Sequence, residues 1–588
     1  MNEFVDTGTP TAPVPDQVGG FAAGPTDGAT EHPHGPVMTH RQIMLVMSGL
    51  MLGMFLAALD QTIIATALPV IVGHLGGLQH ISWVVAAYLL TSTITTPLYG
   101  KVSDLYGRKG VFQFAIVVFL IGSALSGLSQ NIWELIAFRA LQGLGGGGLM
   151  ALAMAIVGDI VSPRERGKYQ GLFGVVFAFS TIAGPLLGGL LVDQFSWRWV
   201  FYINIPIGIV ALIVTGAVLK FDFPRRERSI DYLGASLIMG SVTALLLVTV
   251  WGGSQYSWTS PLILGLAAAG VIGAVVSLWW ESKAEEPILP LSLFKNPIFN
   301  ISSAVSFILA LSMFGAVIYL PVYFQLVRAD SPIISGLMLT PIMLGMIATS
   351  TWSGFMVSKL GRYKIFPIVG CAIMVVSLWL MSNLSVHMSF VSLAWKMVLL
   401  GIGMGMIMQI MVIATQNSVD PRDLGTATSA NSFFRTLGGA FGTALLGAIL
   451  NSRLNYWLPR LVPAAPGHRM SATASTLVNS PAAVRALPPA VRAGVQEAFV
   501  KSLHTEFLTT VPFAILAFLL TLALKELKLR TTTGLHASKA ADAKDAQDLV
   551  DSNADAKDAQ DLVDSNGVGD PGGDPTAVTS TVGVAVEP

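Results

Sequence analysis

Apolar residues in this chain run in long, nearly unbroken stretches, not in the alternation that a soluble helix or strand would show. A helix of about 20 apolar residues crosses roughly 30 Å of hydrocarbon. Fourteen such stretches can be marked, at 43–67, 82–100, 111–130, 132–157, 169–192, 199–219, 232–252, 260–280, 300–324, 334–358, 365–384, 390–414, 426–450 and 507–525. Several carry Gly or Pro, which packed membrane helices tolerate because their neighbours re-satisfy the freed backbone groups. The pattern predicts an all-α integral membrane protein.

The polar links between stretches set orientation. Links after stretches 2, 4, 6, 8, 10 and 12 hold Lys101, Arg108 and Lys109; Arg164, Arg166 and Lys168; Lys220, Arg225, Arg226 and Arg228; Lys283 and Lys295; Lys359, Arg362 and Lys364; and Arg422. The short links on the other side offer mainly Arg198 and Arg328. Positive charge stays on the inner face, so both termini are expected in the cytoplasm, with Lys525, Lys528 and Arg530 following the last stretch.

Outside the apolar stretches, residues 1–40 read as a disordered cytoplasmic tail, with neither the cationic nor the apolar region of a signal peptide. Residues 531–588 read as a second such tail, in which Asp542 to Asn553 recurs at Asp555 to Asn566, a tandem repeat with a 13-residue period. A long extracytoplasmic loop is expected over 451–506, with a surface helix starting near Pro488 that acts as a cap or spacer.

Composition sharpens this picture. Hydrophobic residues make up 53% of the 588 and charged residues only 12%, against about a quarter in a soluble globule. The formal net charge is zero, and no basic surface suggests nucleic acid as a partner. The lone Cys371 excludes an intramolecular disulfide and a cysteine-based metal cluster. No Gly-x-x-x-x-Gly-Lys-Ser/Thr loop is present, which disfavours ATP-driven pumping. With no catalytic triad and no metal-ligand set, the chain reads as neither an enzyme nor a cofactor protein.

Charge inside the oily stretches is the candidate chemistry, because a charged side chain at the bilayer centre costs at least ~2.5–3.5 kcal/mol. Asp60 lies in Leu59-Asp60-Gln61-Thr62, and Arg139 and Gln142 share one helical face in the fourth stretch. The pair could neutralise itself and fix helix register. Alternatively, changes in separation and hydration could drive proton uptake and release at Asp60.

Two glycine-bearing runs stand out besides. Gly100 to Lys109 forms a tight charged turn that includes Asp104, Gly107 and Arg108. Ser180-Thr181-Ile182-Ala183-Gly184-Pro185-Leu186-Leu187-Gly188-Gly189 combines close-packing glycines with a helix-bending proline; simple packing without transport is the alternative for this segment.

Taken in order, the Asp60 segment, the Gly100–Lys109 turn, the run from Arg139 to Gly145 and the Gly184–Gly189 run resemble the successive signatures of proton-driven drug exporters of the major facilitator superfamily. The count of stretches and the Trp197–Gly208 run resemble its fourteen-spanner drug:proton antiporter branch. The resemblance implies two six-helix bundles, over 41–220 and 286–530, with an additional helix pair over 221–285. It makes Asp60 and Arg139 proton-coupling residues. Gly100, Asp104, Gly107, Arg108 and Lys109 become an inner-face latch, and Gly184, Pro185, Gly188 and Gly189 an antiporter hinge. Two positions depart from the signatures: Leu105 stands where the loop usually has a base, and Ser180 where the hinge usually begins with glycine. A weaker echo of the loop, Gly354 to Arg362, puts Ser358 at the Asp104-equivalent place.

The substrate pathway is expected to involve Gln61, Gln142, Met404, Met408, Gln409, Gln416 and Asn417, methionine being deformable enough for a promiscuous pocket, although the methionines also read as a packing stripe. Stretches 7 to 14 show no clear mid-membrane acid, which favours neutral or monocationic lipophiles, and Lys396 and Arg435 read as interfacial or motif-bound. One inward proton at roughly 150 mV supplies ~3.5 kcal/mol. Since tenfold accumulation costs about 1.4 kcal/mol, that sustains a few-hundredfold gradient of neutral cargo.

The leading expectation is a proton-coupled antiporter in the cell membrane that exports lipophilic drugs or antibiotics and confers resistance. It would be powered by the proton gradient and act as a monomer, with an accessory envelope protein as an option. A dedicated exporter or flippase of an endogenous metabolite, siderophore or lipid is the second expectation, and a non-transporting membrane sensor the third.

Overall fold

The computed structural model describes residues 40–75, 81–219, 231–252, 256–284, 287–462, 484–485 and 487–530. Both tails, the tandem repeat and the basic residues Lys220 to Arg228 lie outside them. Among the described residues, thirteen helical segments are long and apolar enough to cross a membrane. In chain order the helices are α1 (His40–Leu75), α2 (Ile81–Tyr106), α3 (Arg108–Leu128), α4 (Ile132–Ile160), α5 (Pro163–Gln194), the short α6 (Trp199–Tyr202) and α7 (Asn204–Val218). There follow α8 (Tyr232–Trp251), α9 (Pro261–Glu281), α10 (Pro297–Leu326), the short α11 (Pro332–Leu337), α12 (Thr340–Leu360), α13 (Ile365–Ser382), α14 (Phe390–Ser418), α15 (Leu424–Leu461) and α16 (Pro489–Ala523). The 26-residue α2 is not among the thirteen. It is long enough to cross but carries a buried hydroxyl ridge, so the fold is compatible with fourteen spans.

That ridge explains how α2 is held. Thr91 donates to the carbonyl of Ala140 at 2.8 Å and Thr96 to that of Gly147 at 3.1 Å, both on α4. Close approach is possible because α4 presents glycines to both sides: a side chain at Gly143 or Gly147 would meet the α2 backbone, and one at Gly145 the α3 backbone. Among α1–α7 the closest packing joins α2 and α3 to α4, and α1 to α5. Among α10–α16 it joins α12 to α14, α10 to α15 and α13 to both α14 and α16. The two sets meet where α5 lies on α12 and where α2 and α4 lie on α15. At the first seam Gly167 and Gly354 touch backbone to backbone. Helices α8 and α9 pair with each other, and α8 reaches α2 and α15 through Leu90, Val242, Leu246 and Phe433. Large apolar side chains such as Phe114, Ile121, Ile272 and Val275 remain exposed, the surface a hydrocarbon solvent calls for.

One expectation needs correction here. The long loop expected over 451–506 is helical at both ends, because α15 continues to Leu461 and α16 begins at Pro489, and its middle, 463–483, lies outside the described residues. The helix expected at the surface near Pro488 is the first part of the last membrane helix. Its face of Val495, Ala498, Phe499 and Leu503 stays buried, while Lys501 and Glu497 pair on the other side at 3.0 Å. Charges confined to one face interrupt a run of apolar residues without interrupting the amphipathic helix.

Candidate functional site

The expected pair forms and is larger than expected. Arg139 Nη1 donates to Asp60 Oδ2 at 2.7 Å and to Gln142 Oε1 at 2.7 Å, and Gln142 Nε2 donates to Asp60 Oδ1 at 2.8 Å. A fourth member, Asn204 on α7, gives Asp60 Oδ1 a hydrogen bond at 3.0 Å and Ser123 Oγ another at 3.0 Å. Asp60, Gln142 and Asn204 are fully buried, and Arg139 is 1% exposed. The guanidinium also lies 4.3 Å from the centroid of the Tyr88 ring. Removing either partner of a buried ion pair leaves the other charge uncompensated and costs about 3–5 kcal/mol. This network therefore holds its four side chains in one arrangement until something compensates the loss.

Beside it lies a cavity of about 410 Å³ between the two helix sets, lined by Gln61 and Tyr88 on one side and by Met408, Arg435, Thr443 and Asn451 on the other. Of the residues expected along a substrate pathway, Gln61 and Met408 line this cavity. Gln142 belongs to the charge network. Met404 is packed in the apolar core of α10–α16 and Gln409 is buried, and neither lines the cavity. Gln416 and Asn417 act as structural ties. Gln416 accepts from Arg166 Nη1 at 3.1 Å and donates to the carbonyl of Met154 at 3.1 Å, while Asn417 accepts the backbone N–H of Arg530 at 3.1 Å. Arg435 is not interfacial: it reaches the cavity wall, and its Nη1 has no hydrogen-bond partner among the described residues.

At one end of the helices the Gly100–Lys109 turn joins the two sets. Arg108 pairs with Asp104 at 2.5 Å and with Asp159, at the end of α4, at 2.7 Å. The other Asp104 oxygen accepts both the backbone N–H and the hydroxyl of Thr426 at 2.8 Å each, capping the first turn of α15 from 322 residues away. Gly107 adopts φ 94°, a conformation that favours glycine, and Gly100 lies against Ser429. Lys109 donates to the carbonyl of Gly216 at 2.8 Å. Leu105, in the place of the usual base, is buried, and Arg108 instead has two carboxylate partners. In the echo of this turn, it is the carbonyl of Ser358 that engages the other set, accepting from Arg164 Nε at 3.2 Å.

In α5, Gly184 packs on Thr62 of α1, whose hydroxyl donates to the carbonyl of Ser180 at 2.9 Å. Pro185 and Gly189 face Gly336 and Ile333 of α11, and Gly188 is buried. This run therefore touches both helix sets.

Comparison with known proteins gives these features a context. The Major Facilitator Superfamily model matches residues 50–443. The chain belongs to the Major Facilitator Superfamily. It is 38% identical over 506 residues to the multidrug transporter protein MdtP of Bacillus subtilis, covering 82% of this chain and 93% of that protein. It is 33% identical over 506 residues to the efflux pump FUS6 of Gibberella fujikuroi, covering 83% and 89%. The solved structure of the proton:xylose symporter XylE superposes with a TM-score of 0.55 over 84% of this chain and 99% of that one; at 15% identity, the likeness is one of fold. The protein is a multi-pass membrane transporter, not an enzyme.

Proposed function

We propose that this transporter is a proton-driven antiporter that exports lipophilic small molecules by alternating access. The observation that carries the reading is the buried Asp60–Arg139–Gln142–Asn204 network, which adjoins the cavity-lining residues Gln61 and Tyr88. Gln61 follows Asp60 in the chain and lines the cavity, and Tyr88 both lines it and stacks on Arg139. Cargo or opening that disturbs this wall weakens the hold of Arg139 on Asp60, and protonation of Asp60 compensates for the separation. Coupling then requires no cofactor, only the gradient. The cavity falls within the roughly 300–1,000 Å³ of small-molecule sites, and the names of MdtP and FUS6 favour drug-like cargo.

In this reading α1–α7 and α10–α16 are two bundles of six spans each, the short α6 and α11 joining α7 and α12 in single spans, with α8 and α9 as an added pair. Asp104, Arg108, Asp159 and Thr426 form the latch that closes the inner face, and the Gly184–Gly189 run is the hinge. Positive charge in the latch-side links supports a cytoplasmic inner face and cytoplasmic termini for a transporter of the cell membrane.

The test is uptake of a lipophilic dye into vesicles carrying the full chain with inverted orientation. An imposed proton gradient should drive accumulation that a protonophore abolishes. Asp60→Asn should eliminate the gradient-driven part while the protein remains monodisperse. Preserved accumulation in that variant would refute the coupling role.

A further inference from the structure

Glu506 takes no part in the Asp60 network; it stands just before the last apolar stretch, and α16 carries it as a buried acid. It is fully buried in α16, and neither carboxyl oxygen has a hydrogen-bond partner among the described residues. The carboxyl lies against α10 at Gly315, where an added Cβ would come within 3.2 Å of Oε1 and would also meet Leu446 of α15.

The titratable groups around it leave it without a cation. Helix α10 supplies Tyr319, one helical turn along from Gly315 and largely buried. Helix α13 supplies Cys371, which faces Thr521 further along α16. Helix α15 supplies Arg435 on the cavity wall and the exposed Arg453. On α16 itself, His504 Nδ1 meets the carbonyl of Ser382 at 2.7 Å and Lys501 pairs with Glu497 at 3.0 Å. An ionised carboxylate without donors or a countercharge is strongly disfavoured in such surroundings, whereas the neutral acid is tolerated.

Tyr319 links the surroundings of Glu506 to the cavity wall. The Tyr319 hydroxyl donates to the carbonyl of Thr443 at 3.4 Å and sits against Gly447, and Thr443 and Gly447 both line the cavity. A modest parting of α10 from α15 would connect the carboxyl to it.

We propose that Glu506 is a second proton-binding site of the transport cycle, loaded in the conformation described here and emptied toward the cavity past Tyr319. The inference rests on the antiport reading above and deepens it. With Asp60 alone, one proton exchanged for one monocation is electroneutral. With Asp60 and Glu506 together, two protons exchange for one monocation, and the membrane potential drives export of cationic lipophiles.

The experiment uses the purified full chain in liposomes and ethidium with two other monocationic dyes. An interior-positive potential at equal pH expels a passively permeating cation. It should nevertheless drive dye inward through wild-type protein, toward about fiftyfold accumulation at 100 mV. Glu506→Gln, close in shape to the neutral acid, should lose this potential-driven uptake and keep uptake driven by an interior-acid gradient. Equal potential responses in Glu506→Gln and wild type would overturn the proposal. So would a wild-type ratio of one proton per dye, which decides the matter even if the variant does not fold. Wild-type protein that takes up dye under neither gradient would overturn the antiport reading itself.

Discussion

Removing the charge of Asp104 should unlatch the inner face. In Asp104→Asn the ion pair with Arg108 and the charge-assisted character of two bonds from Thr426 are lost, while Asp159 still holds Arg108. Hydrogen bonds to charged groups are worth about 1.5–3 kcal/mol each. Because the amide oxygen can still accept the Thr426 bonds in weakened form and Asp159 compensates Arg108, the net loss should be about 2–3 kcal/mol. That corresponds to a rise on the order of 30- to 150-fold in the open population. The assay is the rate of maleimide labelling at Ser350→Cys in a Cys371→Ser background. Ser350 is 2% exposed and faces Gly174 across the seam between α5 and α12, so it reacts only when the sets part. The rise should appear in Asp104→Asn and be absent from an Asp104 control. Equal rates in the two proteins would refute the assignment of Asp104 as the tie between the helix sets.

Other substitutions probe the remaining parts. Gly147→Val would push a side chain into the carbonyl of Ser92 and the hydroxyl of Thr95; overpacking costs about 1–3 kcal/mol, so thermal scanning should show a lowered midpoint, and an unchanged one would mean that α2 and α4 are not in close contact. Asn204→Ala removes a donor to Asp60 and should destabilise the protein by about 1.5–3 kcal/mol, with gradient-driven accumulation impaired though not abolished; wild-type behaviour in both assays would exclude Asn204 from the network. Met408→Trp should narrow the cavity and depress transport of bulky dyes more than small ones, and a size-independent effect would argue that Met408 does not meet cargo.

Much of the site was legible because a charge in hydrocarbon is conspicuous. Asp60 and Arg139 stood out for their cost, and Gln142 for its spacing on the same face. Asn204 lay within the Trp197–Gly208 run but carries no charge, so nothing distinguished it from a polar residue at a helix end. Thr426 could not be paired with Asp104 from sequence, since 322 residues separate them. Asp159 sat just beyond the end assigned to its apolar stretch. Glu506 stands at the end of the segment that reads as an extracytoplasmic loop, whereas α16 runs through it and buries the face that Glu506 shares with Leu503 and Phe507. Gln416 and Asn417 were assigned to the pathway because they follow a methionine stripe. A helix rises about 1.5 Å per residue, so they lie well along α14 from Met408, among the ties to Arg166 and Arg530.

The central claim is that movement of cargo is paid for by proton movement through Asp60. The most direct measurement is the lumenal pH of liposomes containing the full chain, followed when a lipophilic dye is added outside with no gradient imposed. Wild-type protein should release protons from the lumen as dye enters, and Asp60→Asn should show no dye-triggered change. Dye entry through wild-type protein without proton movement, or unchanged proton release in Asp60→Asn, would contradict the account.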